Sequence, residues 1–155
     1  MKKLAFKFFF GLVMAVSMTN CSSCGGDEDD GLCDHDKISA KVFKNYMEKQ
    51  NVIQLVDYRK AEDFNAGHIP GAVNIPAVTK DLDGENGNCE YVKKVMEQFD
   101  TNYPILIYGG NDSWGLNGNV VPGQVACKFG SDKTTLLDGG FKAWETEFPD
   151  LVEKN

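Results

Sequence analysis

Histidine is scarce in this chain, with only His35 and His68, far apart. With Cys21 set aside as a lipidation candidate, Cys24, Cys33, Cys89 and Cys127 show none of the paired spacing that holds zinc, so a zinc site is not expected. A calcium loop is excluded as well. Residues 81–88 alternate carboxylates, but Asn86 stands where an EF-hand needs glycine, and Val92 where it needs a bidentate glutamate. No apolar run is long enough to cross a bilayer, and no internal repeat is present. The longest run, residues 8–18, would cover only about half of a roughly 30 Å hydrocarbon core. Basic residues are outnumbered, 16 against 23, giving a net charge of −7. That balance argues against nucleic acid and anionic lipid as partners.

What is present begins with a short basic head, Met1-Lys-Lys-Leu-Ala-Phe-Lys7, ahead of the apolar run. This is the layout of a signal peptide over residues 1–20. Its removal would take away three lysines and no acid, moving the charge from −7 to −10. Cys21 follows the apolar core and resembles the lipidation site of bacterial lipoproteins, although Asn20 is unusual before such a cysteine. Cys24, behind two serines, is the fallback; the other reading is an ordinary secreted protein with an early disulfide. Acyl chains would anchor the protein without a spanning helix. Residues 21–36 read as a flexible acidic tether. Within it, Asp27-Glu-Asp-Asp30 also resembles the acidic export signals of surface lipoproteins. The expected location is therefore the bacterial cell envelope, with the outer-membrane surface as one variant. Export permits disulfides, and Cys24, Cys33, Cys89 and Cys127 allow three complete pairings that sequence does not separate.

The folded part is expected over residues 37–150, as one domain. Ser39 suits the cap of a helix over residues 40–49, with Val42, Phe43, Tyr46 and Met47 on one face. Residues 52–56 form a short, buried type of strand. A short helix over residues 61–66 is closed by Gly67, and Pro70-Gly71 suits the centre of a type II turn. Further strands are expected at residues 72–75, 105–108 and 134–137. Helices are expected at residues 89–99, from Pro122 to Gly130, and at residues 141–148; Met96 belongs to the apolar face of the first. Residues 77–88 read as a polar surface loop. Strands alternating with helices predict an α/β domain with a central parallel sheet and helices on both faces.

Two segments carry the most information. One is Val52-Ile-Gln-Leu-Val-Asp-Tyr-Arg59 followed by Glu62-Asp-Phe-Asn-Ala-Gly-His-Ile-Pro-Gly-Ala-Val-Asn-Ile-Pro76. The other is Ile105-Leu-Ile-Tyr-Gly-Gly110, then Leu137-Asp-Gly-Gly-Phe-Lys-Ala-Trp144. Together they resemble the rhodanese-like (sulfurtransferase) domain family. The resemblance implies that Asp57, Arg59, His68, Gly71, Asp138, Gly139 and Gly140 are signature positions with mainly structural roles, and that Trp144 is core.

Active members carry a cysteine directly after the strand that ends here at Tyr108, and this chain has Gly109 there. The family's loop wraps backbone N–H groups around that thiol, lowers its pKa and stabilises a persulfide. The loop in this chain is longer than usual and lacks the family's arginine. Glycine offers no group to accept sulfane sulfur, so no catalytic residue is assigned. Cys127, well inside a helix, is the weak candidate for a displaced nucleophile. Ser113 is the only hydroxyl in the loop and reads as a loop or cap serine.

Binding is another matter. Gly109, Gly110, Asn111, Asp112, Ser113 and Trp114 form the candidate ligand-binding loop, with open main-chain N–H groups and an indole face for stacking. Asp112 opposes an anion there, and a solvent-covered loop without ligand is the competing reading. The expected function is an exported, lipid-anchored binding or accessory module without standard sulfurtransferase activity. Its partner is an unknown protein or a small anion; no cofactor, metal or nucleic acid is expected. The alternative is a sulfurtransferase with an unconventional cysteine. A module like the related phosphatases is weaker, since they also need the cysteine and an arginine.

Overall fold

The computed structural model describes residues 32–110 and 118–155. Five parallel strands form one sheet in the order β1-β5-β4-β2-β3. They are β1 (Asp36–Ile38), β2 (Leu55–Asp57), β3 (Val73–Asn74), β4 (Ile105–Tyr108) and β5 (Thr134–Leu137). Leu55 to Asp57 pair with Leu106 to Tyr108, and Ile105 to Ile107 pair with Thr134 to Leu136. Between the strands lie α1 (Ala40–Lys49), α2 (Ala61–Ala66), α3 (Glu90–Gln98), α4 (Val120–Phe129) and α5 (Gly140–Glu147). This is the expected single α/β domain with a parallel sheet and helices on both faces.

The strand period of two divides the core. Leu106 and Tyr108 point to one face and pack with Phe43, Ile69, Leu137, Phe141 and Trp144, under α1 and α5. Ile105 and Ile107 point to the other, with Tyr91, Val92, Val95, Val121, Val125 and Phe129 from α3 and α4. All four residues of β4 are fully buried because both faces are covered.

Strands β4 and β5 run as expected, since both are apolar or β-branched between strong breakers. The second strand does not. Val52 and Ile53 are exposed and pairing starts only at Leu55. Gln54, just ahead of the paired residues, is buried. Its amide nitrogen lies 3.0 Å from Asp100 O, 3.2 Å from Tyr103 O and 3.2 Å from Pro104 O, while its oxygen accepts from the Asp100 N–H at 2.7 Å. Those contacts tie residue 54 to the turn before β4, and its carbonyl accepts the Leu106 N–H at 2.8 Å, the first bond to that strand. Val42 and Met96 are also largely exposed, contrary to expectation, because each lies at the edge of its helix's apolar stripe.

The Pro70-Gly71 turn is observed. Ala72 N–H donates to Ile69 O at 3.1 Å, and Gly71 has φ 81°, the left-handed conformation that position requires. Gly67 closes α2 differently from a left-handed cap. Its φ of 169° is extended, and its N–H reaches Asp63 O and Phe64 O.

The expected tether boundary at residue 37 falls too late. Strand β1 begins at Asp36, and Cys33 is fastened to α4 by its N–H to Gly123 O at 3.3 Å and by a disulfide to Cys127. The loop at residues 77–88 is only partly a polar surface. It contains a 3-10 turn at Thr79–Asp81, and Leu82 is buried. Gln124 holds it against α4, accepting from Gly87 N–H at 2.7 Å and donating to Gly84 O at 2.6 Å.

Candidate functional site

In an open parallel sheet, ligands bind beyond the carboxyl ends of the strands. Here those ends bring together the segment after β2, Gly109-Gly110 after β4, and Asp138-Gly139-Gly140 after β5. Asp57 closes β2 and is completely buried. Arg59 forks onto it, with Nε 3.0 Å from both carboxylate oxygens and Nη2 2.6 Å from Oδ2. The Arg59 N–H donates to Asp57 Oδ1 at 2.8 Å, and Nη2 also donates to Gly67 O at 2.7 Å. The guanidinium lies 4.0 Å from the Phe141 ring centroid and 5.6 Å from that of Tyr108. The pair therefore joins the β2 end to the α2 terminus and to α5. Asn74 completes the joint, its side-chain amide donating to Asp57 O at 3.0 Å and Arg59 O at 2.9 Å.

His68 has a structural placement. It is buried, stacks on Phe64 at 3.9 Å, and sets Nδ1 3.0 Å from Phe64 O. Its backbone exchanges two hydrogen bonds with Glu153, each 2.9 Å. Tyr108 lies beneath this corner, its hydroxyl oxygen accepting the Ile69 N–H at 3.1 Å. Burial, reinforced by the Asp57 carboxylate, pushes the Tyr108 phenol far above its ordinary range.

At the end of β4 the structure replaces a side chain with a neighbour's ring. A methyl group on Gly109 would stand 2.5 Å from the Tyr58 hydroxyl oxygen, and nearer still to two ring carbons. The same methyl on Gly110 would meet nothing within 4 Å among the described residues. Gly140 closes the other side. Phe141 N–H donates to Gly109 O at 2.8 Å, and a methyl on Gly140 would run into Gly110 O and lie 2.6 Å from Gly109 O. With φ 56° as well, Gly140 is required twice over. Asp138 is exposed, its N–H donating to Ile38 O at 2.9 Å.

The sequence-derived positions thus divide. Asp57, Arg59, Gly109, Gly110, Gly139 and Gly140 gather at the strand ends, and His68 adjoins them through Gly67. Gly71 is an exposed turn residue, and Asn111, Asp112, Ser113 and Trp114 lie outside the described residues, as do Cys21 and Cys24. Cys127 is bonded to Cys33, with Cα atoms 5.2 Å apart, so the state observed here offers no Cys127 thiol. Cys89 is free but fully buried. Among the described residues no group of three or more His, Cys, Asp or Glu is placed to hold a metal. Sequence reasoning missed Tyr58, Gln54 and Gln124. Tyr58 was visible only as the middle residue of Asp-Tyr-Arg, and nothing in that string says where its ring points.

Comparison with known proteins identifies the fold. Residues 39–147 match the model of the rhodanese-like domain family. The chain belongs to that family. Among solved structures, the Alr3790 protein from Anabaena sp. is 22% identical, over 76% of this chain and 82% of that one, with TM-score 0.55. Ygr203w of Saccharomyces cerevisiae, described as a homolog of single-domain rhodanese and Cdc25 phosphatase catalytic domain, is 15% identical. It covers 74% of this chain and 82% of its own, with TM-score 0.52. Likeness at these identities speaks to the fold.

Proposed function

We propose that this rhodanese-like domain has given up sulfur transfer at the usual position and serves as a binding or accessory module in the cell envelope. The observation that carries the reading is the state of its thiols. Gly109 follows strand β4 at the position where the family's persulfide would form, Cys89 is sealed in the core, and Cys33 and Cys127 are oxidised to each other. Sulfur transfer needs an accessible thiolate, and none of these groups is one.

A disulfide accords with an oxidising compartment, as the N-terminal leader does. The proposed module is exported, lipid-anchored through Cys21 with Cys24 as the second choice, and turns its strand-end crevice toward a protein partner or small anion. Labelling with a fatty-acid analogue should be lost in Cys21→Ser; retention there and loss in Cys24→Ser would move the anchor.

The deciding experiment is a thiosulfate:cyanide sulfurtransferase assay on the purified chain. No rate above the uncatalysed reaction is expected. Activity that persists in Cys127→Ala would overturn the reading, and a persulfide found by mass spectrometry on Cys89, Cys33 or Cys127 after thiosulfate treatment would relocate the nucleophile.

A further inference from the structure

Position 109 lacks a side chain, yet the space beside it is filled. The Tyr58 ring stands where the first atom of any side chain at 109 would go, and Gly109 is buried as a result while Gly110 remains exposed. The ring has little freedom to leave. Its backbone is held on both sides, by Tyr58 N–H to Tyr108 O at 3.1 Å and by Ala77 N–H to Tyr58 O at 3.0 Å. Its side chain packs against the core that contains Val56, Ile75 and Tyr91. Gly109 is also held from the opposite side, where its carbonyl accepts the Phe141 N–H.

We propose that Tyr58 is a plug: its ring occupies the place that a side chain at position 109 would take, and it shuts any such side chain out. A thiol at this position would accordingly take more than a single substitution. Gly109 and Tyr58 form a steric pair, and restoring a cysteine at 109 alone would set it against the ring. This inference rests on packing and does not depend on the proposed accessory role.

The test installs cysteines in the full chain and follows their alkylation by iodoacetamide under native conditions, with peptide mapping to identify the modified position. Gly110→Cys, at an exposed position that meets nothing within 4 Å among the described residues, should react at least about tenfold faster than Gly109→Cys, because reactivity follows exposure. Removing the ring in Gly109→Cys/Tyr58→Ala should bring the residue 109 thiol close to the Gly110→Cys rate. A Gly109→Cys chain that folds only when Tyr58→Ala is added would support the same steric pair. The proposal is overturned if Gly109→Cys reacts as fast as Gly110→Cys with Tyr58 in place, or if the double variant reacts no faster than the single one. It is equally overturned if the double variant fails to fold while Tyr58→Ala alone folds, since removing the ring would not have made room.

Discussion

Cys33 and Cys127 form a disulfide across a sequence separation of 94, fastening the segment that leads into β1 onto helix α4. The bond spans nearly the whole domain, and it lies at the point where the proposed tether would join the folded body. Pull on an anchored N-terminus would therefore be carried first by α4, without passing through the short edge strand β1.

Breaking this bond should be expensive. In the chain-entropy view, a cross-link over a loop of this length contributes about 4–5 kcal/mol, a large share of the roughly 5–15 kcal/mol that holds a typical domain together. Reduction, or Cys33→Ser, should lower the urea midpoint of unfolding markedly in otherwise native buffer. An unchanged midpoint would mean that the bond constrains nothing in the unfolded chain.

The Asp57–Arg59 pair invites a different comparison. Asp57 is wholly buried and the Arg59 side chain nearly so, so removing one partner leaves a charge stranded. Arg59→Ala should cost about 3–5 kcal/mol. Replacing both, as in Asp57→Asn/Arg59→Met, should recover part of that loss, because no unpaired charge remains. Urea unfolding of the two singles and the double gives the coupling, and strict additivity would count against a buried pair.

How much of this could be seen in the sequence follows from the kind of force involved. Strands β4 and β5 were legible because Ile105 to Tyr108 and Thr134 to Leu137 are short apolar or β-branched runs bounded by breakers. The start of β2 was not, because Val52 and Ile53 look like strand residues yet lie exposed ahead of Gln54, whose side chain is bonded to the turn before β4. The glycine at 109 was obvious, whereas the ring above it was not. A side chain's direction depends on packing between segments distant in sequence, and Tyr58 is held by the cluster around Tyr91. Likewise, four cysteines allowed three complete pairings, and only the approach of residue 33 to α4 selects Cys33–Cys127.

Alkaline pH should destabilise the protein through two phenols. Burial, first of all, raises Tyr91 and Tyr108 above the ordinary value of 10.0, with Asp57 adding to both. The folded state thus retains protons that the unfolded state releases, so this contribution is intact below pH 10 and declines as pH rises beyond it. His35 acts in the opposite sense. Partial burial lowers it from 6.5, so its contribution is present above that pH and falls away in acid. Near-UV phenolate absorbance should show Tyr91 and Tyr108 ionising together with unfolding. Tyr91→Phe and Tyr108→Phe each should remove part of that signal. Titration of either phenol well before the structure is lost would contradict its burial.

Gln124 supplies the last test, at the clasp between the residue 84–88 loop and α4. It is buried, and its amide makes one bond in each direction, to Gly87 N–H and Gly84 O. Gln124→Ala would leave both backbone groups short of a partner, each costing about 1–3 kcal/mol if water does not reach it. Gln124→Glu is the sharper variant. A carboxylate still accepts from Gly87 but cannot donate to Gly84 O, so only half of the clasp survives. Amide hydrogen exchange at Gly87 should accelerate strongly in Gln124→Ala and remain closer to wild type in Gln124→Glu near neutral pH. If both variants exchange alike, the loop is held by packing of Leu82 and Cys89 and not by the amide clasp.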